Sequence, residues 1–191
     1  MSIQNIEKVD LYSLRDYSEH LKNLTDEDKY SRFGVTMSDY GIDQLILQML
    51  YNSKEHELWV LKNSKGDVQG WGHMAYDGES WELAVSVDKN HQRKGVGGSL
   101  IKEMLEWARV HKIESVYMHC IETNKVIQHL AYKHNLKTRE RGAGERTAAI
   151  ELSDASYFEK NSQALKEYTK LVDEMADLRL RMIKLMFGQH T

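Results

Sequence analysis

The chain has no proline, a single cysteine, no apolar run of membrane-spanning length and no basic block longer than three residues. Each shortage removes a class of function. Cys120 alone cannot close an internal disulfide, and without a cysteine cluster a structural zinc site lacks its usual ligands. That composition suits a reducing compartment, and a cytoplasmic location is expected. A bilayer-spanning helix needs roughly 20 consecutive apolar residues, so no membrane association is expected; residues 1–10 also lack a signal-peptide core. Lys and Arg total 26 against 29 Asp and Glu, a net charge of −3. Nucleic-acid binders present a basic face, so no nucleic-acid partner is expected. The nine histidines include no His-x-x-x-His pair. The nearest two, His129 and His134, fall on different helix faces, and no metal site is expected. The missing proline, against an average of roughly 5%, carries no functional reading.

What is present is a sequence that changes period. With 191 residues, 41% hydrophobic and 29% charged, it has the composition of one globular domain plus an appendage. Residues 11–24 place Leu11, Leu14, Tyr17, Leu21 and Leu24 at near-helical spacing, and Thr25-Asp26 can begin a further turn. Residues 43–51 predict a second helix, with Asp43 or Ser38 as its cap. The period then falls to two. Residues 56–61 and 68–76 read as strands around an NSKGD turn, and 81–87 as a third strand after DGES. The glycine-rich segment RKGVGG at 93–98 leads into an amphipathic helix over 99–111. A buried-type strand over 115–121, a short helix over 124–134 and a hairpin over 138–152, turning at 141–145, follow. One glycine-free helix over 156–187 closes the chain. This order predicts an α+β fold with a mixed, mostly antiparallel sheet flanked by helices.

Gly95, Gly97 and Gly98 stand at the junction of a strand and a helix. Without side chains, backbone N–H groups can approach an anion closely, and the helix N-terminus adds about half a positive charge. Arg93 and Lys94 lie alongside, so a pyrophosphate is the natural guest. A glycine-rich turn that only lets the helix pack tightly would look similar. A P-loop needs a lysine after the glycines, and none is there. A dinucleotide fold places the loop after the first strand of a parallel sheet, whereas here three antiparallel strands come first.

Gln92-Arg93-Lys94-Gly95-Val96-Gly97 resembles the Gln/Arg-x-x-Gly-x-Gly/Ala signature of the GNAT acyltransferase superfamily. The resemblance runs from about Leu24 to Leu152 and includes WELAVSV at 81–87 and Asn124. At 135–136, where family members usually carry Gly-Phe, this chain has Asn-Leu. The likeness is greatest to the bacterial protein-acetyltransferase type of domain. It implies a GNAT-like domain over 1–152, acetyl-CoA as co-substrate and an amine acceptor, with 153–191 as a helical extension. Backbone contacts to the pantetheine arm fall on Val85, Ser86 and Val87. Pyrophosphate contacts fall on Gln92, Arg93, Lys94, Gly95, Val96, Gly97, Gly98 and Ser99, and Asn124 falls near the thioester end.

The resemblance offers Glu82 as general base, with a solvated strand carboxylate or an ammonium anchor as its other readings. The family's acid tyrosine sits seven residues after the asparagine. Here that position is Ala131, and the candidate acid is Tyr132, one residue or about 100° further around a helix. His119 reads as a buried histidine or a second base at the cleft, and Cys120 as core filler. Phe33, Tyr40 and Trp71 read either as core or as lining of the acceptor mouth.

Two functions compete at this point. One is an acetyl-CoA-dependent N-acetyltransferase acting on a primary amine. The other is a catalytically idle CoA-binding module that works through its C-terminal helix. In that helix Ala164, Tyr168, Leu171, Met175, Leu178, Met182 and Leu185 recur at heptad spacing, flanked by Leu165, Val172 and Met186. A homodimer joined through the tails is expected; a helix that wraps its own domain is the alternative.

Overall fold

A strand that hydrophobic patterning misses opens the fold. In a computed structural model describing residues 5–121, 124–142, 145–152 and 156–187, Asn5–Val9 forms strand β1 at the sheet edge. Only Ile6 and Val9 are apolar there. Ion pairs supplement the ladder: Lys62 with Glu7 at 3.0 Å and Lys8 with Glu57 at 2.9 Å. The predicted helix over 11–24 is shorter. A 3-10 turn at Leu11–Ser13 leads into α1, Leu14–Lys22, which buries Leu14, Tyr17, Ser18 and Leu21 on one stripe.

Helix α2, Asp26–Phe33, has no apolar stripe and is set by its ends. The Thr25 hydroxyl accepts from the Asp28 N–H at 3.1 Å and donates to the Asp28 carboxylate at 2.7 Å. Gly34 ends the helix in the left-handed region at φ 72°. Of the two cap candidates for α3, Asp39–Tyr51, Ser38 is the cap, accepting from the Gly41 N–H at 3.2 Å.

Strands β2 (His56–Lys62), β3 (Val68–Tyr76) and β4 (Trp81–Val87) form the expected antiparallel meander. Helix α4, Val96–Val110, starts three residues earlier than its apolar stripe suggests and takes in Gly97 and Gly98. After it come β5 (Ser115–Ile121), α5 (Lys125–Lys133), and the hairpin β6 (Lys137–Gly142) and β7 (Glu145–Glu151). The seven-stranded sheet runs β1-β2-β3-β4-β5-β7-β6, with only β4 and β5 parallel. The fold is therefore the expected α+β, mostly antiparallel one.

Both sheet faces are covered. Leu100, Ile101, Met104 and Leu105 of α4 pack on Trp59, Leu61, Met74 and Leu83. On the other face Leu14, Tyr17 and Leu21 of α1 and Ile42 and Met49 of α3 pack on Leu58, Val60 and Trp71. Trp71 is thus core.

Helix α6, Tyr157–Phe187, begins against α4. There Gln163 is buried, Lys166 pairs with Glu103 at 2.6 Å, and Lys170 donates to the Lys8 carbonyl at 3.1 Å. Further along, Leu171, Met175, Leu178 and Met182 are 50–63% exposed. The helix does not wrap its own domain over that stretch. The side chains of Cys120, Leu185 and Met186 lie outside the described residues. No helix among the described residues is long and apolar enough to cross a membrane, and no group of three or more His, Cys, Asp or Glu there could hold a metal ion.

Candidate active site

β4 and β5 are paired only at Trp81–Val116 and Glu82–Tyr117. Beyond Glu82 the two parallel strands part, and α4 crosses between them in the chain. Residues 83–87 therefore have a ladder with β3 on one side and none with β5 on the other. Backbone polar groups facing such a gap need partners, and an extended, amide-bearing arm could supply them. Glu82 is half-buried at the last rung, on the face shared with Tyr117.

Where β4 ends, the loop is wound tightly by two left-handed residues, Arg93 at φ 58° and Gly95 at φ 86°. The first is costly for a residue with a side chain and is the kind of local strain functional loops hold. The turn aims the first amides of α4 at the mouth of the gap, where no intrahelical acceptor exists for them. Gly97 keeps this stretch of the wall free of a side chain. A Cβ there would lie 3.3 Å from Leu130 Cδ1 and 3.6 Å from Val87 Cγ2, inside the channel between β4 and α5.

Gap and loop open into one groove of about 930 Å³. Val85, Ser86, Val87, Gln92, Arg93, Gly95, Val96, Gly97, Gly98 and Asn124 all line it, so ten of the expected cofactor contacts come together. Two do not line it. Lys94 turns back to donate to the Asn90 carbonyl at 2.8 Å, and Ser99 lies within the first turn of α4, its N–H bonded to the Gly95 carbonyl at 3.0 Å. Gln92 acts as a tie, its Nε2 donating to Asp28 at 3.1 Å and to the Val87 carbonyl at 3.4 Å. Asn124 caps α5, its Oδ1 accepting from the Ile127 N–H at 3.1 Å. Arg93, Lys125 and Lys133 bring positive charge to the walls. These features fit a ligand with an extended arm and a pyrophosphate.

Tyr132 does not join the site. It stands 80% exposed on α5, while Ala131 is buried and Leu130 and Lys133 line the groove. The one-residue offset turns its hydroxyl out, which removes it as the acid. His119 is exposed rather than buried. Phe33 packs partly buried beside the α1-side core, and Tyr40 is exposed.

The α2 residues that close the groove, Arg32 among them, gave no signal in the sequence because α2 has no periodic apolar face. On the α1 side, His20 Nε2 and Ser86 Oγ are 2.9 Å apart. Desolvation there pulls His20 down to about 4 against the upward pull of Asp88 and Asp28. His20 is therefore neutral at pH 7, and Ser86 is fixed by its side chain as well as its backbone.

The sequence model of the acetyltransferase (GNAT) family matches residues 18–135. No curated protein matches the chain. Among solved structures, spermidine N-acetyltransferase from Vibrio cholerae, in complex with CoA and spermine, is similar over 79% of this chain and 96% of that one, with 15% identity and a TM-score of 0.62. The GNAT domain of S. lividans PAT is similar over 78% of this chain and 90% of its own, at 13% identity and a TM-score of 0.64. A domain from Methanocaldococcus jannaschii is similar over 80% of this chain and all of its own, at 13% identity and a TM-score of 0.65. At such identities the structures attest the fold alone. The parted strands, the glycine-opened helix between them and the family match over residues 18–135 agree, and the chain belongs to the GNAT acetyltransferase family.

Proposed function

We propose that the protein is an acetyl-CoA-dependent N-acetyltransferase that acetylates a primary amine by direct attack on the thioester. The observation that carries this reading is the parting of β4 and β5 beyond Glu82, next to a helix N-terminus opened by Gly97. Acetyl-CoA supplies an acyl group already activated as a thioester. The chain's own part is to hold the pyrophosphate on the first amides of α4, with Arg93, Lys125 and Lys133 near it, and the arm along Val85, Ser86 and Val87. A backbone N–H near Val85 would stabilise charge developing on the carbonyl oxygen.

The amine nitrogen bonds to the carbonyl carbon as the carbon–sulfur bond breaks, and the proton it sheds passes to Glu82, directly or through water. With Tyr132 turned out, no tyrosine of α5 serves as acid. Solvent protonates the departing thiolate, which is a weak enough base to leave unaided. Residues 1–152 are the catalytic domain and 153–191 an assembly helix that joins two copies.

Thiol release with a panel of amines tests the activity. The wild type is expected to release CoA, and Glu82→Gln to lower kcat by about 10²-fold or more. Gly97→Glu should block the channel and abolish CoA binding while the fold persists. CoA bound tightly by Gly97→Glu would refute the groove assignment. Binding without release for any amine would instead favour the idle module, a reading that the outward Tyr132 supports.

A further inference from the structure

One charged group in the groove has no task in this mechanism. Arg32, in the last turn of α2, lines the groove, and no carboxylate among the described residues pairs with it. Neutral groups hold it instead. Its Nη2 donates to His73 Nδ1 at 3.3 Å, and it hydrogen-bonds with the buried Tyr17 hydroxyl. Arginine only donates, so His73 must present a lone pair at Nδ1 and keep its proton on Nε2. That proton is donated to His56 Nδ1, 3.1 Å away. Desolvation, then the nearby Arg32, holds His73 well below the ordinary histidine value. The chain Arg32–His73–His56 thus orients the guanidinium without supplying any negative charge. The guanidinium also lies over the Phe33 ring at 4.9 Å, which limits its freedom further.

The location of this cation is informative. In the first turn of α2, Asp28 is tied to Gln92 beside the glycine loop, and Arg32 stands one turn onward. His73 stands opposite Ala84 in the β3–β4 register. Glu82 shares Ala84's face one pleat repeat away, about 7 Å. Its charge is felt at the Tyr17 hydroxyl that Arg32 touches. Arg32 thus lines the groove, while Glu82, which is not among the groove's lining residues, lies on the same sheet face as Arg32's partner His73. An ammonium group suits the carboxylate. The guanidinium fork suits an anion in bidentate contact.

We propose that Arg32 binds a carboxylate of the acceptor, so that the amine acetylated belongs to an amino-acid-like molecule and not to a simple polyamine. This rests on the acetyltransferase reading and names its substrate class. The amino group lies towards Glu82 and the carboxylate on Arg32, which discriminates amines by the group they carry a few bonds from the nitrogen.

Calorimetric titration of the full chain saturated with CoA tests it. The ligands are glycine, β-alanine and 4-aminobutyrate, each against the amine of equal length lacking the carboxylate, with putrescine as the diamine. At least one carboxylated member is expected to bind about ten-fold or more tightly than its partner and than putrescine. Arg32→Gln should erase that ratio, and Arg32→Lys should retain part of it. Equal binding within every pair, preference for putrescine, or no binding by any carboxylated member overturns the proposal, and the wild-type ratios alone suffice for this. An Arg32→Gln loss equal for all ligands overturns it too. The CoA titration that precedes the series separates the two readings. Failure of wild-type protein to bind CoA removes the acetyltransferase reading, whereas CoA binding without carboxylate preference removes only this one.

Discussion

His20 shows how much a single side chain can say about solvent. Burial keeps it neutral in the fold, with its value pulled down from 6.5 to about 4. The unfolded chain, by contrast, takes up a proton once the pH drops below 6.5. Acid therefore favours the unfolded state. Stability is complete above pH 6.5 and is lost as pH falls towards 4, by up to about 3 kcal/mol at 1.4 kcal/mol per pH unit. His73 and His56, also lowered chiefly by desolvation, act with the same sign. Urea midpoints at pH 7, 6 and 5 should decline, and His20→Asn, which can still hydrogen-bond Ser86, should flatten the decline. An unchanged slope in that variant would show that His20 is not the group responsible. Residues of this kind escape patterning. Nothing in the spacing of His20 or His73 reveals that a helix and a sheet close over them.

The elements divide sharply by what made them visible. The meander over residues 56–87 was legible because its strands alternate between two apolar faces and its turns carry glycine. The glycine loop was legible because its residue types have few other uses. β1 was not legible as a strand, and of α2 only the start at Thr25-Asp26 was legible, because its cap is a local signal and no periodic apolar face follows it. The end of α5 is an intermediate case. Asn135 takes the glycine position of the family pattern and adopts the glycine conformation, φ 61°. The Leu136 N–H returns to the Ala131 carbonyl at 2.9 Å, and Leu136 is buried where the family carries phenylalanine. The departure in sequence is therefore no departure in structure. Asn135→Val should cost about 1–2 kcal/mol, since a β-branched residue is strained in that region, while Asn135→Gly should be neutral or slightly stabilising. Thermal melts of the two variants would check this, and equal melting temperatures would contradict the backbone account.

At the scale of the whole molecule, the conspicuous feature is the outer part of α6. A 31-residue helix runs about 46 Å at 1.5 Å per residue, and its stripe from Leu171 to Met182 has no cover among the described residues. Isolated apolar stripes of this length are rare on monomers. A second copy offers the matching stripe in heptad register, with Glu174 and Arg179 placed to pair between parallel tails. Light scattering after size exclusion is expected to give twice the chain mass at micromolar concentration, and truncation after Leu152 to give the monomer. Monomer mass for the full chain, or a dimer that survives truncation, would dismiss the tail as the joint.

The parting of β4 from β5 has a mechanical consequence as well. Four strands lie on one bank of the opening and three on the other, joined in the sheet by two rungs, with α4 and the Tyr117–Asp77 hydrogen bond also spanning them. An occupant that bonds to both banks would act as a temporary eighth strand. The domain would be stiffest while loaded and loosest just after release. Amide hydrogen exchange along residues 83–87 would then slow with occupancy, so the backbone itself would record each loading of the groove.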